Sequence, residues 1–136
     1  MLEIRRANDA DKEGVLKILN DLDMYYPALE YKDFFVALEE GRVVGCAQLE
    51  NRNDLYFLGS VAVTEDQRGK GYASRLLNEV LKGAKKDVYL FTAIPEFFSK
   101  FGFNEAPIRP GLPSKDRYDC IGCGAKNCLC MKRAAK

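Results

Sequence analysis

Gly59-Ser60-Val61-Ala62-Val63-Thr64-Glu65-Asp66-Gln67-Arg68-Gly69-Lys70-Gly71-Tyr72-Ala73, running on as Ser74-Arg75-Leu76-Leu77-Asn78-Glu79-Val80-Leu81, is the stretch on which the fold turns. Val61, Ala62 and Val63 are apolar and mostly β-branched, the composition of a buried strand. Leu76, Leu77, Val80 and Leu81 recur at helical spacing, so a helix with one apolar face follows. Between the two, Gly69 and Gly71 let the backbone come close to a ligand. The first turn of the helix points its unpaired N–H groups, and the positive end of its dipole, toward the same place. Arg68 and Lys70 add charge there, which makes a candidate diphosphate site. The plainer alternative is a tight strand-to-helix turn with a surface lysine. Two other glycine loops are excluded. No Gly-Lys-Ser/Thr closes a Walker loop, and the third glycine of a dinucleotide fingerprint is missing.

On the N-terminal side, Leu55–Val63 reads as one strand behind the polar turn Asn51-Arg52-Asn53-Asp54. Before it, Phe34–Leu38 and Val43–Leu49 flank Glu39-Glu40-Gly41-Arg42, two apolar runs about a glycine turn, so the three strands form an antiparallel meander. Leu2–Arg6 is a first strand. Asn8 and Asp11 mark a helix start, and Val15, Leu16, Ile18, Leu19 and Leu22 give its apolar stripe. Pro27 breaks that pattern within Met24-Tyr25-Tyr26-Pro27-Ala28-Leu29, an aromatic loop that either covers a pocket or caps the core edge.

On the C-terminal side, Gly83, Lys85 and Lys86 end the helix and Val88–Thr92 is a buried strand. Pro95 opens a short helix over Glu96–Phe101, stopped by Gly102. Phe103–Ile108 is expected as a sixth strand, Arg109–Lys115 as a proline-rich loop and Leu129–Arg133 as a last strand. The order predicts one α/β domain over residues 1–136, with a mixed, mostly antiparallel central sheet flanked by helices.

The bulk numbers agree. At 136 residues and 47% hydrophobic, the chain supplies a single core. Net charge is +1 from 21 basic and 20 acidic residues, so no nucleic-acid partner is implied. From Asn104 onward seven Lys/Arg face three Asp/Glu, which suits an anionic ligand or a solvated tail. Met1–Arg6 holds no apolar signal region and no window approaches a membrane span. The expectation is a cytoplasmic chain that does not engage membranes, its five cysteines held as thiols or metal ligands. Histidine is absent, so proton transfer falls to carboxylates, tyrosine, cysteine, backbone or water.

Arg68-x-x-Gly71-x-Ala73, after a Val-Ala-Val strand and before a Leu-Leu helix, resembles the acetyl-CoA signature of the GNAT N-acetyltransferase superfamily. Val43-Val44-Gly45-Cys46-Ala47 and Glu96-Phe97-Phe98-Ser99-Lys100-Phe101-Gly102-Phe103 extend the resemblance along nearly the whole chain. With Leu112-Pro113-Ser114-Lys115, these segments are similar to the acetyltransferase domain of N-acetylglutamate synthases and to related amino-acid acetyltransferases. The resemblance implies acetyl transfer from acetyl-CoA to the amine of a small amino acid, glutamate or an analogue, by direct attack on the thioester. It places the pantetheine arm along Val61, Ala62 and Val63, the diphosphate on Arg68, Gly69, Lys70, Gly71, Tyr72 and Ala73, and Phe98 beside the cofactor. It also implies two parallel strands splayed where cofactor and amine meet. Homodimers are common in the superfamily, though no surface is identified here.

Two departures concern proton transfer. Relatives carry tyrosine four residues before the glycine of Gly-Phe, and here Phe98 has no proton to give. A catalytic carboxylate often lies on the fourth strand, and Tyr56–Val63 contains none. Glu50 and Glu96 remain as candidate bases, against the plainer readings of a strand-end charge and a helix first-turn acid. A water chain is the third option, and a fourth-strand N–H suffices to stabilise an oxyanion. For a substrate carboxylate, Arg6, Arg109, Lys115 and Arg117 are the candidate cations, each with solvated surface charge as its alternative. Protein or peptide N-acetylation, and a non-catalytic acyl-CoA or metal sensor, are the competing functions.

Cys120-x-x-Cys123-x-x-x-x-Cys128-x-Cys130 places four thiols within eleven residues. Four thiolates suffice for tetrahedral Zn²⁺, with Gly122 and Gly124 allowing tight turns, though Cys-x-Cys is not a ribbon knuckle. Reduced thiols near the last strand and a redox-active or disulfide pair are the other readings. Cys46 reads as a small core residue.

Overall fold

The computed structural model describes residues 2–22, 31–67, 69–92, 94–112 and 129–135. In chain order the elements are β1 (Leu2–Arg6), α1 (Lys12–Asp21), β2 (Phe34–Glu39), β3 (Arg42–Arg52), β4 (Leu55–Val63), α2 (Tyr72–Lys82), β5 (Asp87–Thr92), α3 (Pro95–Ser99), β6 (Asn104–Glu105) and β7 (Leu129–Arg133). All seven strands join one sheet in the order β1-β2-β3-β4-β5-β7-β6. Among the described residues β4–β5 is the single parallel pair, so the sheet is mixed and mostly antiparallel, as the sequence predicts.

The hairpin turn has Glu40 and Gly41 both in the left-handed region, φ 52° and 79°, the two-residue geometry whose twist matches antiparallel strands. Strand alternation then sorts the core. Cys46, with Phe34, Val36 and Ala62, packs against Val15, Ile18 and Leu19 of α1. Its neighbour Ala47, with Leu58, Val88 and Leu90, packs against Leu76, Leu77, Val80 and Leu81 of α2 and Phe98 of α3. Helix α1 thus covers one face of the sheet and α2 and α3 the other. Helix α1 sits backbone-close on β3, since a Cβ at Gly14 would fall 2.8 Å from a Val43 methyl.

The sixth strand is shorter than expected. It covers Asn104–Glu105 rather than running to Ile108. Ala106 still donates its N–H to Cys130 O at 2.9 Å, but Pro107 has no N–H to continue the ladder.

Asn8 caps a short 3-10 turn, Asp9–Asp11, that leads into α1, with Ala10 N–H on its side chain and its own N–H on Asp11 Oδ2 at 2.8 Å. Asp11 is buried and takes both guanidinium arms of Arg5, at 2.6 and 3.0 Å. The Arg5 hydrogen bond holds the Asp11 carboxyl below its ordinary range, the Asn8 N–H adds to this, and burial opposes it. A carboxylate whose folded pKa is depressed contributes stability that is present above its unfolded pKa and lost as pH falls through the folded one. Asp11→Ala therefore removes about 2 kcal/mol at neutral pH. The variant and the parent should converge in stability under acid conditions, which urea unfolding at a series of pH values measures. A constant difference down to the lowest pH would refute this assignment.

No helix among the described residues is long and apolar enough to cross a membrane.

Candidate active site

The β4–β5 ladder is short. It holds Leu55 to Asp87, Tyr56 to Val88 and Phe57 to Tyr89 and then stops, although β4 continues to Val63 and β5 to Thr92. The strands part where β4 carries a bulge. Cys46 pairs with Ala62 but Gln48 with Gly59, so β4 has one residue more than β3 across this interval. Ser60 absorbs it with φ 53°, a conformation that costs a non-glycine residue roughly 1 kcal/mol and that often marks a functional site. The Cys46 thiol donates to Ser60 O at 3.5 Å and ties the bulge to β3. Burial pushes that thiol up to about 12, which keeps Cys46 a packing group, as read.

Beyond the bulge, Thr64 donates its N–H to Val44 O at 2.8 Å, on the β3 side. Backbone groups alternate along a strand, so those of Val61 and Val63 turn toward the gap. The gap opens into a cleft of about 420 Å³. Val61, Ala62 and Val63 form one wall, Phe97, Phe98 and Ile94 the other, with Ala73 at the α2 end and Leu22 at the α1 end. Phe98 is held there edge-on to Phe97 and Phe103, ring centres 5.1 and 6.0 Å away.

Gly71 caps α2 at φ 78° and Gly69 stands at φ 84°, values that L side chains rarely adopt. A Cβ on either would meet nothing within 4 Å. The glycines therefore set the path of the chain and leave open space before the helix N-terminus, which a bound group can fill. Arg68 lies outside the described residues.

The two candidate bases part company. Glu50 pairs with Phe57, the last β4 residue laddered to β5, and shares its side of the sheet; its side chain is 15% exposed. Glu96 is exposed in the first turn of α3 and does not line the cleft. Arg109 is not near the gap either. It donates to Asp54 at 2.6 Å, which raises its own pKa and holds the Asp54 carboxyl below its ordinary range. Asp54 precedes β4, and from there Val61 lies about 20 Å along the strand. Arg6 reaches Lys32 O at 3.4 Å and stacks 5.1 Å over Phe35, on the β1–β2 side. Lys115 and Arg117 lie outside the described residues.

Of the four clustered cysteines only Cys130 is described; Cys120, Cys123 and Cys128, and with them the zinc reading, lie outside. Cys130 is buried on β7 opposite Phe91. No group of three or more metal-binding side chains occurs among the described residues.

Sequence reasoning missed Arg52. Its guanidinium lies 3.4 Å from Glu50 and donates to Gly111 O, so a cation sits beside the carboxylate on one face of β3. Glu50 and Arg52 two apart in a strand was the available signal. The bulge at Ser60 left none, because a Gly-Ser pair inside a strand is equally compatible with regular pairing.

The profile of the family described as Acetyltransferase (GNAT) domain matches residues 30–105. An uncharacterized N-acetyltransferase of Chlorobaculum tepidum is 30% identical over 97 residues, which cover 68% of this chain and 62% of the relative. Among solved structures, N-acetylglutamate synthase of Neisseria gonorrhoeae, complexed with coenzyme A and N-acetyl-glutamate, aligns at TM-score 0.77 and 23% identity, over 100% of this chain and 35% of its own. Rv2747 of Mycobacterium tuberculosis, in complex with coenzyme A, aligns at 0.78 and 21% identity, over 98% of this chain and 99% of its own. A GNAT-family acetyltransferase of Staphylococcus aureus aligns at 0.77 and 18% identity over 100% of both chains. At these identities the structural likeness speaks for the fold, while the family profile covers more than half of the chain. On that match, this chain belongs to the GNAT acetyltransferase domain family.

Proposed function

We propose that the protein transfers the acetyl group of acetyl-CoA to the primary amine of a small amino acid such as glutamate. The observation that carries this reading is the gap between β4 and β5, a cleft bordered by the turned backbone of Val61 and by Ala73 in the first turn of α2, with open space at Gly69 and Gly71 before that same helix. Acetyl-CoA, when bound, supplies an activated thioester. In this reading the edge of β4 at Val61 takes the pantetheine amides, and the N–H groups of Gly69, Lys70, Gly71, Tyr72 and Ala73 take the diphosphate. The apolar walls, Phe97 and Phe98 among them, exclude water from the reacting atoms. A Val61 N–H is the donor for the carbonyl oxygen, on which charge develops as the amine attacks.

Glu50 receives the ammonium proton through water, because it stands on β3 beside the mouth of the gap rather than inside it. The new amide forms as the carbon–sulfur bond breaks, and the thiolate takes its proton from solvent, since Phe98 has none to give. Likeness in fold to N-acetylglutamate synthase supports an amino-acid acceptor.

Mass spectrometry of the purified protein with acetyl-CoA, free amino acids and a mixed peptide pool tests the reading. Acetylated glutamate or a close analogue is the expected product. Acetylation confined to the peptides would replace the acceptor class, and coenzyme A binding without any product would favour a sensor.

A further inference from the structure

The loop between β4 and α2 is fastened at both ends to the same hairpin. The Glu40-Gly41 turn sets Glu39 at the end of β2 opposite Arg42 at the start of β3. Arg42 donates to Asp66 Oδ2 at 3.1 Å, in the short helical turn Glu65–Gln67 directly after β4. Tyr72, the first residue of α2, donates its hydroxyl to the Glu39 carboxylate. That acceptor raises the pKa of Tyr72, so the phenol stays a donor. One further strand residue helps, as Thr64 N–H is bound to Val44 O. Within the loop, Lys70 Nζ donates to Oε1 of buried Gln67 at 2.7 Å and lies 5.9 Å from the centre of the Tyr72 ring.

A loop with two glycines at positive φ is the kind of segment with most conformational freedom to lose, roughly 1 kcal/mol or more per residue ordered. Where a ligand must order such a loop, that cost appears in its affinity; where the fold has already ordered it, the cost does not. Arg42 touches the loop at its entry and Glu39 at its exit, and neither lines the cleft.

We infer that Glu39 and Arg42 are positioning residues for the diphosphate: the hairpin clasps the loop so that its N–H groups face one point before the ligand arrives. This rests on the cofactor placement proposed above. It separates the two halves of the ligand, because the pantetheine arm runs along β4 and does not use the clasped loop.

Calorimetric titration of the full chain with coenzyme A, and with its two halves, 3′-phosphoadenosine 5′-diphosphate and pantetheine, tests this. The halves are measured at millimolar concentration by displacement of coenzyme A. Glu39→Ala is expected to weaken coenzyme A and the diphosphate half about five- to tenfold, and Arg42→Ala, whose ion pair with Asp66 is exposed, about two- to fourfold, with pantetheine unchanged in both. Glu39→Gln, whose amide oxygen still accepts from Tyr72, should restore most of the affinity. Equal weakening of both halves would mean general loosening of the fold and would overturn the inference, as would unchanged coenzyme A affinity in Glu39→Ala. A wild-type chain that binds no coenzyme A at all would overturn the cofactor placement and this inference with it.

Discussion

Replacing Gly71 by glutamate is expected to abolish coenzyme A binding at micromolar concentrations in a chain that still folds. Two effects act at this position, and their sizes differ. The residue caps α2 at φ 78°, so any L side chain there carries strain of about 1 kcal/mol, equivalent to a few degrees in unfolding temperature. The carboxylate adds more. A Cβ at Gly71 points into open space, the region that the diphosphate fills in the proposed complex. A negative charge about 4 Å from one phosphate costs on the order of 4 kcal/mol at a surface dielectric, a factor of roughly a thousand in affinity. Gly71→Ala separates the contributions, because it keeps the strain and omits the charge. The alanine and glutamate variants should unfold at nearly the same temperature and differ by orders of magnitude in coenzyme A affinity. A folded glutamate variant that binds coenzyme A like the parent would move the cofactor elsewhere.

The second large effect is expected at Glu50. Glu50→Gln keeps the size and hydrogen-bonding reach of the side chain and removes its ability to take a proton. Turnover of the acceptor found by mass spectrometry should fall about a hundredfold, the usual share of a general base, while coenzyme A affinity stays unchanged. Glu96→Gln serves as the internal comparison. That carboxylate is exposed on α3 and outside the cleft, so its loss should leave turnover within twofold of the parent. Full activity in Glu50→Gln would leave water as the sole acceptor of the ammonium proton. A fall confined to Glu96→Gln would reverse the assignment.

Most of the fold was legible because its signals are local. The Glu40-Gly41 turn, the apolar stripe of α2, Pro95 at the start of α3 and Gly102 after it each specify their own backbone. Strand β6 is shorter than its sequence suggests, because Ile108 lies beyond Pro107, which has no N–H to continue the ladder. The turn into α2, with Gly69 and Gly71 at positive φ, was legible for the same local reason, glycine spacing before a helix. Proton transfer and substrate charge were not, since both depend on which distant groups meet. Arg109 carries the right charge for a carboxylate clamp, yet Asp54, far from it in sequence, holds it at the closed end of the β4–β5 pair. Glu50 and Glu96 look alike in the sequence, and only the pairing of β3 with β4 separates them. The Ser60 bulge lies on the quoted stretch itself, but it is a property of the register between two strands.

The short β4–β5 ladder has one further consequence. Strand β5 is joined to β7 from Val88 through Thr92, whereas its seam with β4 ends at Phe57. The sheet is therefore two panels, β1 through β4 and β5 with β7 and β6, stitched together at one end and open at the other. In the proposed complex the ligand bonds to the edge of one panel and packs against the other, and so serves as the missing length of seam. Its binding energy then adds to the cohesion of the whole domain, by the logarithm of its concentration over its dissociation constant. With acetyl-CoA placed as proposed, its supply would set the stability of the chain as well as its rate of turnover.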